Sequence, residues 1–359
     1  MPRTVLLNPG PVNVTDRVRQ ALMLPDLCHR EKEFSDLMAA IRAKLLKAFD
    51  IEEDYTSVLV SGSGTAALEM AVSSSLSPGR SMLVIENGVY GERIGKICDV
   101  YQFNRRTIKL GWGEPPSLED IEKELKENSD IEVVALVHHE TTTGLLNPLK
   151  EVGELARRYE KVFLVDCISS LAGDAIDFKA IDIAVGTANK CIQGFPGVAF
   201  VLFREKELGR LRKIPERTLY FNLTGYHKAQ EAGGMLFTPA IPAHYALDVA
   251  LDELIEETVV RRVERYASAA QFLRAGFKDI GLEFLIPEGW RSNCLTGLRL
   301  PKGVGYEKLH GELKDNGFII YAGQGNLSDN IFRVANMGDI TQEEFERFLQ
   351  VLKKTLTTS

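Results

Sequence analysis

Short apolar runs alternate with helix-like segments through most of this chain. The runs are Ser57-Val58-Leu59-Val60, Met82-Leu83-Val84-Ile85, Glu132-Val133-Val134-Ala135-Leu136-Val137, Val162-Phe163-Leu164-Val165, Ile183-Ala184-Val185 and Val198-Ala199-Phe200-Val201-Leu202-Phe203. Nearly continuous apolar runs of this length predict strands buried on both faces. Helical spacing near 118–128 and 150–159 separates several of them. Strands alternating with helices predict an α/β fold with a large, doubly wound, mostly parallel sheet. Ahead of the first run, helical periodicity covers about 14–24 and 34–49, after an extended lead-in, Val5-Leu6-Leu7-Asn8-Pro9-Gly10-Pro11, whose prolines bar a helix. From about residue 256 the pattern changes to a long helix reaching 277, strands at 294–300 and 318–321, the short run Ile331-Phe332-Arg333-Val334-Ala335-Asn336-Met337-Gly338, and a closing helix from 341. That is a small α+β domain. The expected division is a large domain over 14–255 and a small domain over 256–359 that includes the N-terminal segment 1–13.

Composition narrows the picture. With 359 residues, 45% hydrophobic and 26% charged, the chain is long enough for two cores and has ordinary globular composition. No apolar run reaches the length of a membrane span, and Met1-Pro2-Arg3-Thr4-Val5 is expected to lead into folded structure rather than to form a signal peptide, so a cytoplasmic protein is the default expectation. A net charge of −7 without a cluster of basic and aromatic residues argues against a nucleic-acid partner. Five scattered cysteines, Cys28, Cys98, Cys167, Cys191 and Cys294, show no Cys-x-x-Cys spacing and are expected to be small buried hydrophobes rather than disulfides or zinc ligands. His138 and His139 are adjacent, and neighbours on a strand point to opposite faces, so no metal site is expected.

Candidate chemistry gathers at strand ends. The run 162–165 ends on Asp166, and the run 183–185 leads to Lys190 in a turn built from Gly194, Pro196 and Gly197. Neighbouring parallel strands would bring both side chains to the edge where open α/β sheets bind ligands. A lysine amine and a buried carboxylate are what pyridoxal phosphate requires: the amine to hold its aldehyde carbon, the carboxylate to keep its ring nitrogen protonated. Taken alone, the spacing reads more readily as a helix N-cap at Asp166 and a solvated surface lysine at Lys190; the surrounding motifs reverse that preference.

The turn Ser61-Gly62-Ser63-Gly64-Thr65 feeds a helix and offers unpaired amides to a phosphate. It also fits the dinucleotide pattern, with Gly62, Gly64, Ala67 and the later acid Glu86, but that reading leaves Asp166 and Lys190 unexplained. Tyr90, after the next strand, is placed to lie on a cofactor ring, with a core or interface tyrosine as the alternative. Thr141, in the hydroxyl run Thr141-Thr142-Thr143, is the choice for a cofactor's phenolic oxygen. Arg333 interrupts a strand with a guanidinium fork suited to a carboxylate or phosphonate. Two further substrate-side candidates are the exposed backbone at Gly10 and the side chain of Arg30, the latter also readable as solvated charge. The apolar, proline-bearing stretch 233–242 suits a strap at a subunit interface.

Four segments carry a resemblance over nearly the whole chain: Asn8-Pro9-Gly10-Pro11, His139-Glu140-Thr141-Thr142-Thr143-Gly144-Leu145-Leu146-Asn147-Pro148, Val165-Asp166-Cys167-Ile168-Ser169-Ser170 and Ala188-Asn189-Lys190-Cys191-Ile192-Gln193-Gly194. The chain resembles fold type I pyridoxal-phosphate enzymes, class V aminotransferases, and most closely the 2-aminoethylphosphonate–pyruvate transaminase family. The resemblance implies that Lys190 is the Schiff-base lysine, flanked by Asn189 in the cofactor site, and that Asp166 pairs with the pyridinium. It implies Ser63, Gly64 and Thr65 at the phosphate, Tyr90 on the ring, and Thr141 at its hydroxyl. Arg333 would grip the substrate anion. Relatives are dimers with shared active sites, which implies a phosphate contact from Thr238 of a second subunit. The implied substrates are a small anionic amine and a 2-oxo acid. The stretch His29-Arg30-Glu31-Lys32-Glu33-Phe34 looks more like other class V members, including alanine–glyoxylate and serine–glyoxylate transaminases, and the alternative activity is of that type. A cysteine desulfurase is disfavoured because no cysteine sits in a long glycine-rich loop after Lys190.

Overall fold

The computed structural model describes residues 3–357; Met1 and Pro2, at the head of the expected segment 1–13, and Thr358 and Ser359, at the end of the expected small domain, lie outside the described residues. In chain order the strands are β1 (Val5–Leu6), β2 (Tyr55–Gly62), β3 (Ser81–Glu86), β4 (Asn104–Lys109), β5 (Ile131–Val137), β6 (His139–Glu140), β7 (Leu145–Leu146), β8 (Val162–Asp166), β9 (Ile183–Thr187), β10 (Gly197–Arg204), β11 (Leu295–Arg299), β12 (Phe318–Ile319), β13 (Tyr321–Ala322) and β14 (Ile331–Ala335). Seven of them form one sheet, ordered β2-β10-β9-β8-β5-β3-β4. The pairs β9–β8, β8–β5, β5–β3 and β3–β4 are parallel, whereas β10 runs antiparallel to both β9 and β2. The reason for that one reversal is local. Residues 188–196 join β9 to β10 by a tight turn, and a parallel return needs a crossover of roughly a dozen residues or more.

The continuous apolar runs are explained by helices on both faces. Leu59, Val134, Leu136, Phe163 and Val165 pack on one side with Phe34, Met38, Ile41 and Leu45 of the helix Lys32–Ala48. Val58, Val60, Val133, Ala135 and Leu164 pack on the other with Ala67, Leu68 and Ala71 of the helix Gly64–Ser75 and Ile94 of the helix Val89–Val100. Each strand therefore feeds both cores with alternate residues, as a doubly wound sheet requires.

A second, smaller sheet, β11-β14-β13, lies in the C-terminal part with its own core of Phe277, Phe318, Phe332, Phe348 and Leu352. Val5 and Leu7 are buried in that core, and β1 pairs in parallel with β12. The lead-in thus belongs physically with the far end of the chain.

Several expected elements differ in detail. The long helix expected from 256 is Val259–Ile280; a separate helix, Ile241–Glu257, runs up to it and is parted from it at Thr258, whose φ is 71° and whose hydroxyl caps the second by accepting from the Arg261 amide. The expected strand 318–321 splits at Ile320, because Phe318–Ile319 pairs with β1 and Tyr321–Ala322 with β14. The helix expected over 14–24 is confined to Asp16–Ala21, started by the Thr15 cap. Residues 241–242 of the expected strap already belong to a helix, with its proline in the first turn where the missing N–H costs nothing. Four cysteines are buried, but Cys28 is exposed in the charged connector, against expectation. Among the described residues no helix is long and apolar enough to cross a membrane.

Candidate active site

From β3 the chain moves outward to β4 and returns on the other side of β3 at β5, so the order reverses there and the carboxyl ends of the two strands splay around a crevice. Asp166 is the last residue of β8, and its register partner on the parallel strand β9 is Val185. The chain then passes through Thr187 and Asn189 to Lys190, so sheet topology brings acid and amine to one edge.

Asp166 is buried. One carboxylate oxygen accepts the Ile168 amide at 2.9 Å, and the other accepts nothing from the described residues. Burial pushes its pKa up to about 6, partly offset by that amide and by the Arg93 and Lys190 charges. Lys190 is half-buried, and burial lowers its pKa to about 8. Its Nζ donates to the carbonyl of Pro9, and a Cβ on Gly10 would lie 2.6–2.8 Å from the outer atoms of its side chain. Gly10 also has φ of 104°, a conformation that favours glycine, so the lead-in closes over the lysine only with glycine there. The sequence placed Gly10 with the substrate; the structure sets it against Lys190.

The lysine loop is braced from the helix Val259–Ile280. Arg262, itself buried, donates to the carbonyls of Cys191 and Ile192 at 3.2 Å each. The Gln193 amide donates to the Tyr266 hydroxyl at 2.7 Å, and Gln193 is held at φ of 67°. Asn189 accepts from the Thr187 hydroxyl at 3.0 Å.

At the start of the helix Gly64–Ser75, Ser63 makes no side-chain cap bond, which leaves the first-turn amides for a ligand. A Cβ on Gly64 would meet the Ile168 side chain at 2.7 Å, so the turn is pressed against the residues that follow Asp166. Tyr90 opens the helix Val89–Val100. That helix start is capped from a distant strand: Glu140 accepts the amides of Tyr90 and Gly91 at 3.2 and 3.1 Å, and the Thr142 amide and hydroxyl as well. Burial raises the Glu140 pKa to about 7, but four donors aimed at the carboxylate favour its ionised form. Glu140 was unassigned in the sequence; it lies beside Thr141, but no local spacing marks it as the cap of a distant helix.

Thr141 is buried and its hydroxyl oxygen has no hydrogen-bond partner among the described residues, an exception that calls for a ligand. His139 binds the Ser169 carbonyl through Nδ1 at 3.1 Å while its Nε2 is also buried and unpartnered, and burial holds its pKa down at about 4. Arg333 is buried: Nε donates to the Ala322 carbonyl and Nη1 to the Thr141 carbonyl, both at 2.8 Å, with Gln324 Oε1 at 3.4 Å from Nη1. Its Nη2 has no partner among the described residues.

Two predicted residues are not drawn into this cluster. Arg30 is exposed and makes no hydrogen bond or ion pair among the described residues. Thr238 is exposed on the stretch 233–240, which is tied to the sheet by the Ala240 amide donating to Ser61 Oγ at 2.9 Å. The rival dinucleotide acid, Glu86, is committed elsewhere, in an ion pair with Arg105 at 2.9 Å.

The residues present fit pyridoxal phosphate. A half-buried lysine, an acid with one free oxygen, an orphaned hydroxyl on Thr141 and an uncapped helix start converge at the carboxyl edge of one sheet.

The family described as aminotransferase class-V matches residues 19–324. Among curated proteins, the chain is 35% identical over 347 residues to an uncharacterized aminotransferase of Methanocaldococcus jannaschii, covering 95% of this chain and 90% of that one. It is 34% identical over 359 residues to a 2-aminoethylphosphonate–pyruvate transaminase of Bacteroides fragilis, covering 98% of each. Among solved structures, an alanine–glyoxylate aminotransferase from Nostoc sp. superposes with a TM-score of 0.93 at 29% identity, covering 99% of this chain and 96% of that one. Profile, curated relatives and architecture agree, and the chain belongs to the class V aminotransferases.

Proposed function

We propose that this enzyme moves an amino group between 2-aminoethylphosphonate and pyruvate, giving phosphonoacetaldehyde and L-alanine, with pyridoxal phosphate held at Lys190. The observation that supports the cofactor half is that Asp166, at the end of β8, and Lys190, in the turn just past the end of the adjacent parallel strand β9, lie at one sheet edge with a buried Thr141 hydroxyl that has no partner among the described residues. Full-length similarity to the transaminase of Bacteroides fragilis supports the substrate half. When bound, the cofactor supplies the electron sink that loosens the proton on the donor carbon.

The chain's own residues do the rest. The free carboxylate oxygen of Asp166 would hold a proton on the ring nitrogen, and the low-dielectric surroundings would make that pairing strong. The Lys190 amine, which burial brings down to about 8, can release and take up a proton near neutral pH, and Nζ would be the group that takes the proton from the donor carbon. Thr141 Oγ1 would bond the ring hydroxyl, Tyr90 would cover the ring, and Ser63, Gly64 and Thr65 would hold the phosphate with Asn189 alongside. Arg333 Nη2, left open while Nε and Nη1 are fixed, receives the anion of either substrate, phosphonate in one half-reaction and carboxylate in the other.

The functional unit we propose is a homodimer, with Thr238 and Arg30 working in the neighbouring copy's site. That accounts for their exposure here and for the apolar residues Leu219, Tyr220 and Leu236 on the surface near the strap. The large domain over 14–255 and the small domain over 256–359, with 1–13, would close on the site from two sides, in a cytoplasmic enzyme.

The second reading, an alanine–glyoxylate or serine–glyoxylate transaminase, is supported by the superposition on the Nostoc enzyme. A coupled assay with 2-aminoethylphosphonate, alanine, serine and aspartate as donors against pyruvate and glyoxylate decides. The proposal expects the phosphonate with pyruvate to have the highest kcat/KM; a preference for alanine or serine with glyoxylate overturns it.

A further inference from the structure

We propose that Arg93 is a phosphate residue of the cofactor site, supplying the positive charge that the glycine turn lacks; the inference rests on the pyridoxal-phosphate reading above. Arg93 lies one helical turn after Tyr90 in the helix Val89–Val100. Two contacts fix its guanidinium. Nη1 donates to Thr65 Oγ1 at 3.0 Å, and the guanidinium carbon sits 4.6 Å from the centre of the Tyr90 ring. One contact therefore reaches the phosphate turn and the other the residue that covers the cofactor ring.

What Arg93 lacks is a counter-ion. Among the described residues no carboxylate lies within ion-pair distance of it, and its Nε and Nη2 donate to no protein acceptor. The contrast with neighbouring cations is plain, since Arg105 is paired with both Asp99 and Glu86. A half-buried guanidinium is costly without an anion, and the aromatic face returns only part of that cost. The uncapped start of the helix Gly64–Ser75 stands beside the same Thr65 hydroxyl. An anion held by those amides would find the arginine within reach, whereas Arg333 serves the substrate from the smaller sheet. Thr65 then has a double use, accepting from Arg93 and donating to a phosphate oxygen.

Three variants of the full-length apoprotein test this by cofactor uptake, followed by fluorescence and absorbance, with no reaction required. Pyridoxal phosphate and pyridoxal, which differ only in the phosphate, are titrated in parallel. Arg93→Met is expected to weaken pyridoxal phosphate roughly 10- to 100-fold, the scale of a lost charge-assisted hydrogen bond, while pyridoxal changes by less than about twofold. Arg93→Lys is expected to recover most of the loss. Arg93→Gln, which keeps a donor to Thr65 without charge and serves if the methionine variant does not fold, is expected to behave like methionine. An equal loss for both ligands, as a purely structural arginine would give, overturns the proposal, and so does no loss for either. If wild-type protein takes up neither ligand, the cofactor reading itself fails; if wild type binds and the variants match it, only the Arg93 assignment fails.

Discussion

Arg333 Nη1 donates to the main-chain carbonyl of Thr141 at 2.8 Å, joining the strand β14 of the smaller sheet to a residue whose buried hydroxyl has no partner among the described residues. The two positions are 192 residues apart in sequence. Their link, with the bond from Nε to the Ala322 carbonyl, fixes the guanidinium so that Nη2 stays without a partner among the described residues, and in the site proposed above it would set the anion receptor beside the residue assigned to the cofactor's hydroxyl.

Replacing Arg333 should therefore damage recognition of both substrates together. Arg333→Ala is expected to cost about 2–3 kcal/mol in kcat/KM for the amine and for the oxo acid alike, the scale of a buried hydrogen bond to charge. Arg333→Lys should recover little, because a single ammonium cannot bond the Ala322 and Thr141 carbonyls and also present a fork. Steady-state kinetics with both substrates provide the check, and an unchanged KM for pyruvate contradicts the role.

Thr141→Val is expected to change sign with cofactor loading. In the free protein the hydroxyl is buried without a partner, so an isosteric methyl removes an unsatisfied group and should stabilise by about 1 kcal/mol. In the loaded protein the same change removes a bond and should weaken cofactor binding by about 1 kcal/mol. Thermal melts of apo and loaded protein make the comparison. Destabilisation of the apoprotein would show that the hydroxyl has a protein partner after all.

Cofactor capture by the apoprotein should rise with pH. Attack needs the neutral amine, whose fraction increases as pH passes the Lys190 value of about 8. The ring-nitrogen partner needs ionised Asp166, which is lost as pH falls through about 6. Capture is thus expected to be slow below pH 6, to climb between 6 and 8, and to level off above that. At pH 7, a lysine shifted from 10.5 to about 8 holds roughly 300-fold more free amine than an ordinary one. Stopped-flow absorbance across this range measures it; a rise centred near pH 10 would mean that burial does not depress Lys190.

The exposed apolar residues near the strap test the shared-site arrangement. Leu219 is 83% exposed, more than an isolated surface leucine needs, and Tyr220 stacks on Phe237 at 4.8 Å beside it. Leu219→Asp is expected to shift the protein toward monomer in light scattering and to lower cofactor affinity, because Thr238 would no longer reach a neighbouring site. A monomeric wild type of full activity contradicts that arrangement.

Much of this was legible in the chain. The strands could be read because each feeds two cores and so shows as an uninterrupted apolar run, and Asp166 could be read because it closes such a run. Lys190 was marked by the glycines and proline of the turn that reverses β10. What could not be read depends on partners far apart in sequence. Glu140 caps a helix that begins 50 residues earlier, and Arg262 braces Cys191 from 71 residues later. No local spacing announces either contact. The missing counter-ion of Arg93 is likewise a property of the folded surroundings alone. Thr238 was suggested by resemblance and Arg30 by its place in a charged stretch, and a single copy of the chain leaves both at its surface.

The central claim is that Lys190 carries the cofactor opposite Asp166. Borohydride reduction of protein loaded with pyridoxal phosphate, followed by peptide mass spectrometry, reads it directly. The account predicts one pyridoxyl-phosphate adduct, on the peptide containing Lys190, absent from Lys190→Ala and much reduced in Asp166→Asn. An adduct on another lysine, or none in wild type, would contradict it.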